Sequence, residues 1–227
     1  MNVEAQASEG ADALPVLSAA QARVLGCLIE KEATTPETYP LTINAAHAAA
    51  NQKTARDPVM ALSPGEVQHA LRRLEELGLA RQSFSSRAER YAHRAVERLA
   101  LTRQQAALLG LLLLRGPQTP HELLARSERM ARFESVDEVR HHLERLARHA
   151  PPLVIVLAPG GGRREERHAH LLAGPVDAGC NTVVEEPPRR INPDEDESAP
   201  ELKARIDALE HAVEQLRARI AELEHRR

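Results

Sequence analysis

An internal repeat constrains this 227-residue chain more than any other feature. Leu17-Ser-Ala-Ala-Gln-Ala aligns with Leu101-Thr-Arg-Gln-Gln-Ala at an offset of 84, which also brings Gly26 onto Gly110 and Thr35-Pro36 onto Thr119-Pro120. The offset falls to 72 where Val67, Leu71 and Leu74 match Val139, Leu143 and Leu146. It moves to 77 where Tyr91-Ala-His93 matches His168-Ala-His170. Anchors kept in one order indicate two copies of one unit. At roughly 75–80 residues each, the copies are too long for solenoid repeats and right for two small domains. The first copy carries about a dozen extra residues between its second and third elements, and the second has the longer loop near its end.

Each copy reads the same way. Ser18 is placed as an N-cap, with Val24, Cys27, Leu28 and Lys31 following at helical spacing, and Thr102 caps a matching helix through Leu114. Thr119-Pro120 opens a second helix, with proline where its missing N–H costs nothing. In the first copy that helix is expected to start later, at Thr42 after the Tyr39-Pro40 turn. A third helix begins at Ser63-Pro64 with Glu66 in capping-box position, buries Val67, Ala70, Leu71, Leu74 and Leu77, and stops at Gly78. Its counterpart runs from Ser135 to Ala147 with Glu138 at the same position. Two strands close each copy, 79–84 with 89–93 and 153–157 with 167–172, joined by loops at 85–87 and 160–164.

Three helices followed by a hairpin predict a winged helix, a helix-turn-helix variant whose third helix faces the major groove while the wing meets the flanking backbone. The expected fold class is mainly α with short β-hairpins. The expected organisation is a disordered 1–16, winged helices over 17–98 and 99–173, a disordered Pro-rich acidic linker over 174–200, and a coiled-coil helix over 201–227. Winged helices also dock proteins, so fold alone does not decide function.

Several runs carry a more specific likeness. Arg23-Val24-Leu25-Gly26-Cys27-Leu28-Ile29-Glu30-Lys31-Glu32 resembles the YceH family of bacterial proteins. So do Tyr39-Pro40-Leu41, Asn44, Asn51-Gln52-Lys53, Arg56, Pro58-Val59-Met60, Tyr91 and His93-Arg94. Leu112-Leu113-Leu114-Arg115-Gly116 and Gln118-Thr119-Pro120 fit in the second copy. The likeness covers roughly residues 17 to 173, insertion included. It implies tandem winged helices and no settled activity.

Candidate contact residues fall in three places. Asn51, Gln52, Lys53 and Arg56 lie in the insertion, where amides and cations suit phosphates or base edges and equally suit bonding to the local backbone. Helix 3 of the first copy turns Gln68, His69, Arg72 and Arg73 outward, mixed with Glu66, Glu75 and Glu76. Helix 3 of the second copy turns out Arg140, His141, Arg145 and Arg148, with Glu144. The wings carry Arg81, Arg87 and Arg90, then Arg163, Arg164 and Arg167, placed for phosphate contact without choice of sequence or for plain solvation.

Charge supports a nucleic-acid reading only weakly. Residues 1–16 sum to −3, 17–98 to +2, 99–173 to +3 and 174–227 to −5, so two mildly basic blocks lie between acidic ends. Aromatics are 2%, which argues against base stacking on single strands. No nucleophile motif, phosphate loop or carboxylate pair in a plausible cleft is found, so no enzyme and no cofactor are expected. His168 and His170 share a strand face without a third ligand, so no metal is expected either. Cys27 reads as core, and Cys180 lies in the linker without a paired base. No apolar run reaches membrane length and residues 1–16 lack basic side chains, so a soluble cytoplasmic protein is expected.

In the tail, Leu202, Ile206, Leu209, Val213, Leu216, Ile220 and Leu223 are spaced 4, 3, 4, 3, 4, 3. β-Branched residues at a with Leu at d favour a parallel two-stranded coiled coil. Arg205 and Arg219 would face Glu210 and Glu224 of a partner chain. The alternative is a helix folding back on its own domains. The sequence therefore leads to a non-enzymatic, dimeric protein that associates with double-stranded DNA or regulates, or else to a scaffold whose winged helices dock a protein.

Overall fold

The computed structural model describes residues 16–175 apart from 86–87 and 159–164. All of them fall in one compact unit, Met1–Val183. The heptad seam from Leu202 to Leu223, the linker with Cys180, residues 1–15, and Arg87, Arg163 and Arg164 lie outside the described residues.

The described chain is mainly helical with small antiparallel sheets. In the first half, α1 (Ala19–Thr34) is followed by a 3-10 turn (Pro36–Thr38), β1 (Leu41–Thr42), α2 (Ile43–Ala50), α3 (Pro64–Glu76), β2 (Ala80–Ser85) and β3 (Ala88–His93). A short α4 (Ala95–Arg98) leads to the second half, built from α5 (Arg103–Arg115), α6 (Pro120–Ser127), α7 (Val136–Ala147), β4 (Val154–Leu157) and β5 (Arg167–His170).

Local chemistry sets the helix starts. Ser18, Ser63, Thr102 and Thr119 each accept from the backbone N–H three residues on, while Gln21, Glu66, Gln105 and Glu122 reach back to the cap N–H. Each pair satisfies two donors that a helix start leaves open. Ser135 accepts from Glu138 N–H in the same way, but the Glu138 carboxylate takes the Glu134 N–H at 2.7 Å instead of the cap's own. Thr42 caps α2, so Thr42 is the structural counterpart of Thr119. Thr35-Pro36, which matches Thr119-Pro120 in sequence, opens only the 3-10 turn. Gly78 ends the third helix at a φ of 69°, a conformation that favours glycine.

The sheets also repeat, with one element eroded. β2 pairs with β3 from Ala80↔His93 to Ser85↔Ala88, and β1 adds to the other edge of β3 through Leu41↔Tyr91 and Thr42↔Arg90. In the second half β4 pairs with β5, and the third strand is reduced to a bridge between Gln118 and His168. Neither β1 nor this bridge was expected from the sequence.

Helices α1 and α5 explain how the halves join. Residues Ala22 to Ile29 of α1 and Gln105 to Leu114 of α5 are buried all round. One face of each packs in its own half and the other face packs against its counterpart. A Cβ on Gly26 would lie 3.1 Å from Leu113 Cβ, and one on Gly110 would lie 2.9 Å from Ile29 Cγ2. Adding 84 to 26 gives 110, and subtracting it from 113 gives 29, so the two contacts are images of each other. The halves therefore meet as a symmetric dimer would, inside one chain. Their buried apolar residues form one continuous core. Leu17 N–H donates to Leu172 C=O at 2.7 Å, tying the start of one half to the end of the other.

Candidate nucleic-acid interface

Burial decides what α3 and α7 present. α3 buries Val67, Ala70, Leu71 and Leu74, which leaves His69, Arg72 and Arg73 exposed and Gln68 half-buried. α7 buries Val139, Leu143 and Leu146, leaving Arg140, His141, Glu144, Arg145 and Arg148 exposed. His69 and His141 occupy matching positions at the offset of 72. Much of this charge is already paired. Arg73 bonds Glu76, Arg140 bonds Asp137 at 2.8 Å, and Arg148 lies 3.6 Å from Glu144. Glu75 turns back to accept from Gln82 N–H. Arg72 and Arg145 have no ion-pair partner among the described residues.

The insertion is a folded loop held from inside. Arg23, buried in α1, donates to Ala50 C=O and to Pro58 C=O, the latter at 2.6 Å. Asn51 accepts from Leu62 N–H and donates to Leu62 C=O, both at 2.8 Å, closing the loop like one rung of a ladder. Asp57 N–H donates to Leu114 C=O, so the loop caps the C-terminus of α5.

Arg56, nominated as a surface contact, is turned inward. It is 5% exposed, donates to Ala49 C=O and grips both oxygens of Glu30 at 3.1 and 2.6 Å. Desolvation pushes the Glu30 carboxyl up, but the hydrogen bonds and charge of Arg56 outweigh it and hold Glu30 below its ordinary value. A guanidinium this committed is not presented to a partner. Asn51 is likewise occupied by Leu62, Gln52 is half-buried, and Lys53 is exposed.

The hairpin cations divide as well. Arg81 is exposed. Arg90 donates to Pro40 C=O at 2.7 Å and to Thr38 C=O at 3.3 Å, stapling β3 to the turn before β1. Arg167 donates to Pro117 C=O at 2.6 Å and pairs with Glu122 at 3.1 Å. Separation in sequence hid both internal roles: Arg90 lies about fifty residues from its acceptors, and only the β1–β3 pairing brings them together.

The histidines of the second half are a structural feature. Burial lowers His168, and burial pushes His170 down to about 4. Burial also lowers His142, whose ring meets Phe133 edge-on. Among the described residues no three His, Cys, Asp or Glu side chains gather as a metal site. Cys27 is buried, and burial pushes its thiol up to about 11, as for a core thiol rather than a reactive one. No helix among the described residues is long and apolar enough to cross a membrane.

Residues 17–163 match a family described as "Protein of unknown function, DUF480". The chain is 56% identical over 207 residues to a UPF0502 protein of Mesorhizobium japonicum, covering 91% of this chain and 96% of that one. It is 57% identical over 214 residues to a UPF0502 protein of Xanthomonas campestris pv. campestris, covering 93% and 94%. A UPF0502 protein of Stenotrophomonas maltophilia is 57% identical over 210 residues, covering 92% and 95%. On these matches the chain belongs to the DUF480/UPF0502 family, which is the YceH family its own motifs resemble.

Proposed function

We propose that this protein is a non-enzymatic tandem winged-helix protein that associates with double-stranded DNA and dimerises through its C-terminal helix. The observation that carries the reading is the repeated order of helix, short strand or bridge, two helices and hairpin, with the third helix exposing one polar face in each half. That order matches the winged-helix arrangement, in which the third helix enters the major groove. Arg72 and Gln68 on α3, and Arg140 and Arg145 on α7, then face base edges or phosphates, and Arg81 and Lys53 meet the backbone.

The experiment is a salt-titrated duplex-binding assay on the full chain. About three to four phosphates neutralised by these cations give a slope near −3 in log K against log salt. Arg72→Ala then weakens binding, and Gln68→Ala alters base preference by about 1–3 kcal/mol per contact. No duplex binding at about 50 mM salt and micromolar protein rejects the reading.

The pairing of Arg73, Arg140 and Arg148 with their own helix carboxylates, and the inward use of Arg56 and Arg90, favour a second reading. There the same faces dock a protein partner. Absence of duplex binding in the same titration favours this second reading.

A further inference from the structure

We propose that the free edge of β4 pairs with the same edge of a second copy of this chain, antiparallel across a two-fold axis, so that the two second halves share one continuous sheet. The hydrogen bonds of β5 decide which groups that edge offers. His168 gives its N–H to Gln118 C=O at 2.8 Å and takes Gln118 N–H on its own C=O at 3.0 Å, both on the side away from β4. Antiparallel pairs alternate, so Val156, which stands opposite His168, turns its own N–H and C=O away from β5 and toward the free edge. These two groups have no partner among the described residues. Val156 is 46% exposed and Ile155 beside it 38%, so β4 sets two adjoining large apolar side chains in solvent.

The first half carries the same edge closed. Gln82 stands opposite Tyr91 as Val156 stands opposite His168, and Tyr91 matches His168 in the repeat. The Gln82 N–H, which points to the free edge of β2, is taken by the Glu75 carboxylate at 3.0 Å. At the offset of 72 the counterpart of Glu75 is Ala147, whose side chain has no acceptor. The second half thus lacks both devices that blunt its twin, a carboxylate on the edge amide and a polar edge residue. What fits there is a strand without charge, because a charge set against Ile155 or Val156 is desolvated without a partner. β2 carries Arg81, β3 carries Glu89 and Arg90, β5 carries Arg167 and β1 is two residues long, whereas Val154–Leu157 is wholly apolar and complements itself. With the axis at Val156, that residue and Val156 of the partner subunit exchange both backbone bonds. Ile155 comes opposite Leu157 of the partner subunit, an apolar cross-strand pair that adds to the ladder. A four-residue strand pair buries far less than the roughly 1,200–2,000 Å² of a stable interface, so alone it forms near about 1 mM and is silent at micromolar protein. Copies already joined elsewhere meet at millimolar effective concentration, which populates it. The inference rests neither on nucleic-acid binding nor on the tail.

The test uses the full chain with Leu209→Asp and Leu216→Asp, which takes the tail seam out of play, followed by amide NMR and sedimentation equilibrium from about 0.05 to 2 mM. Shifts that grow with concentration should centre on Val156 and its neighbours in β4, with the associated fraction rising from about a tenth to over about half. Val156→Pro removes only the outward N–H, which an edge strand tolerates, and should abolish the association with the fold intact. Ala147→Glu restores the carboxylate of the first half and should do the same. It should also slow exchange of the Val156 amide at low concentration, a gain that damage to the strand would not give. No association up to about 2 mM, shifts centred on another surface, or association that survives both Val156→Pro and Ala147→Glu would each overturn the proposal.

Discussion

Replacing Gly26 by alanine tests whether the α1–α5 crossing is as close as its geometry states. The new methyl would lie 2.9 Å from Leu114 Cγ, 3.0 Å from its Cδ2 and 3.1 Å from Leu113 Cβ. Carbon atoms rest at about 3.5–4.0 Å, so the neighbours must give way by roughly half an ångström or more. Leu113 Cβ is anchored directly to the backbone and has little freedom to move. Overpacking of this kind costs about 1–3 kcal/mol. Alanine in a helix interior returns up to about 1 kcal/mol in propensity. The net expectation is a loss of about 1–2 kcal/mol. Urea denaturation reads this as a midpoint lowered by about 0.5–1 M for a slope near 2 kcal/mol/M, with the slope unchanged. Gly110→Ala should be milder, because Met130 Cε at 3.3 Å is a flexible chain end, although Ile29 Cγ2 at 2.9 Å still resists. Gly65→Ala is the control. Nothing lies within 4 Å of its Cβ position, so it should stabilise by about 0.5–1 kcal/mol. A Gly26→Ala protein as stable as the parent would refute the close crossing.

Other expectations follow from the same contacts. Arg56→Met strips the half-buried Glu30 of its bidentate partner and leaves it only Lys31 at 3.3 Å, so it should cost about 2–4 kcal/mol in thermal or urea unfolding, while Lys53→Met nearby should cost less than about 0.5 kcal/mol. Because His142, His168 and His170 are all held below their ordinary values by burial, the unfolded chain binds protons more readily. Stability is therefore full above about pH 6.5 and falls as pH drops towards about 4, with His170 alone contributing at most about 3 kcal/mol; His170→Asn should flatten that fall in a pH series of denaturation curves. Asn51→Ala removes both bonds to Leu62 and should cost about 1–3 kcal/mol, together with faster amide exchange through the insertion. For the tail, sedimentation of the full chain against a chain ending at Gly174 should show a concentration-dependent dimer only in the former, abolished by Leu209→Asp with Leu216→Asp. The same state for both chains would reject the tail as the dimer element.

Much of the fold could be read locally. The side-chain caps Ser18, Thr42, Ser63, Thr102, Thr119 and Ser135 were visible because capping needs only residues three apart, and the faces of α3 and α7 were visible because 3.6-residue periodicity marks what is buried. The repeat of cap, helix face and hairpin in two halves is likewise a property of spacing alone. What spacing could not reveal is which cations remain free. Arg56 meets Glu30 and Arg90 meets Pro40 across 26 and 50 residues, and no local pattern distinguishes such an arginine from an exposed one. The matched glycines Gly26 and Gly110 were legible as a repeat anchor, yet their purpose was not. Only the packing of α1 on α5 makes them the place where two helices must come within a methyl group of each other, because burial on both faces of a helix is decided by what the rest of the chain sets beside it.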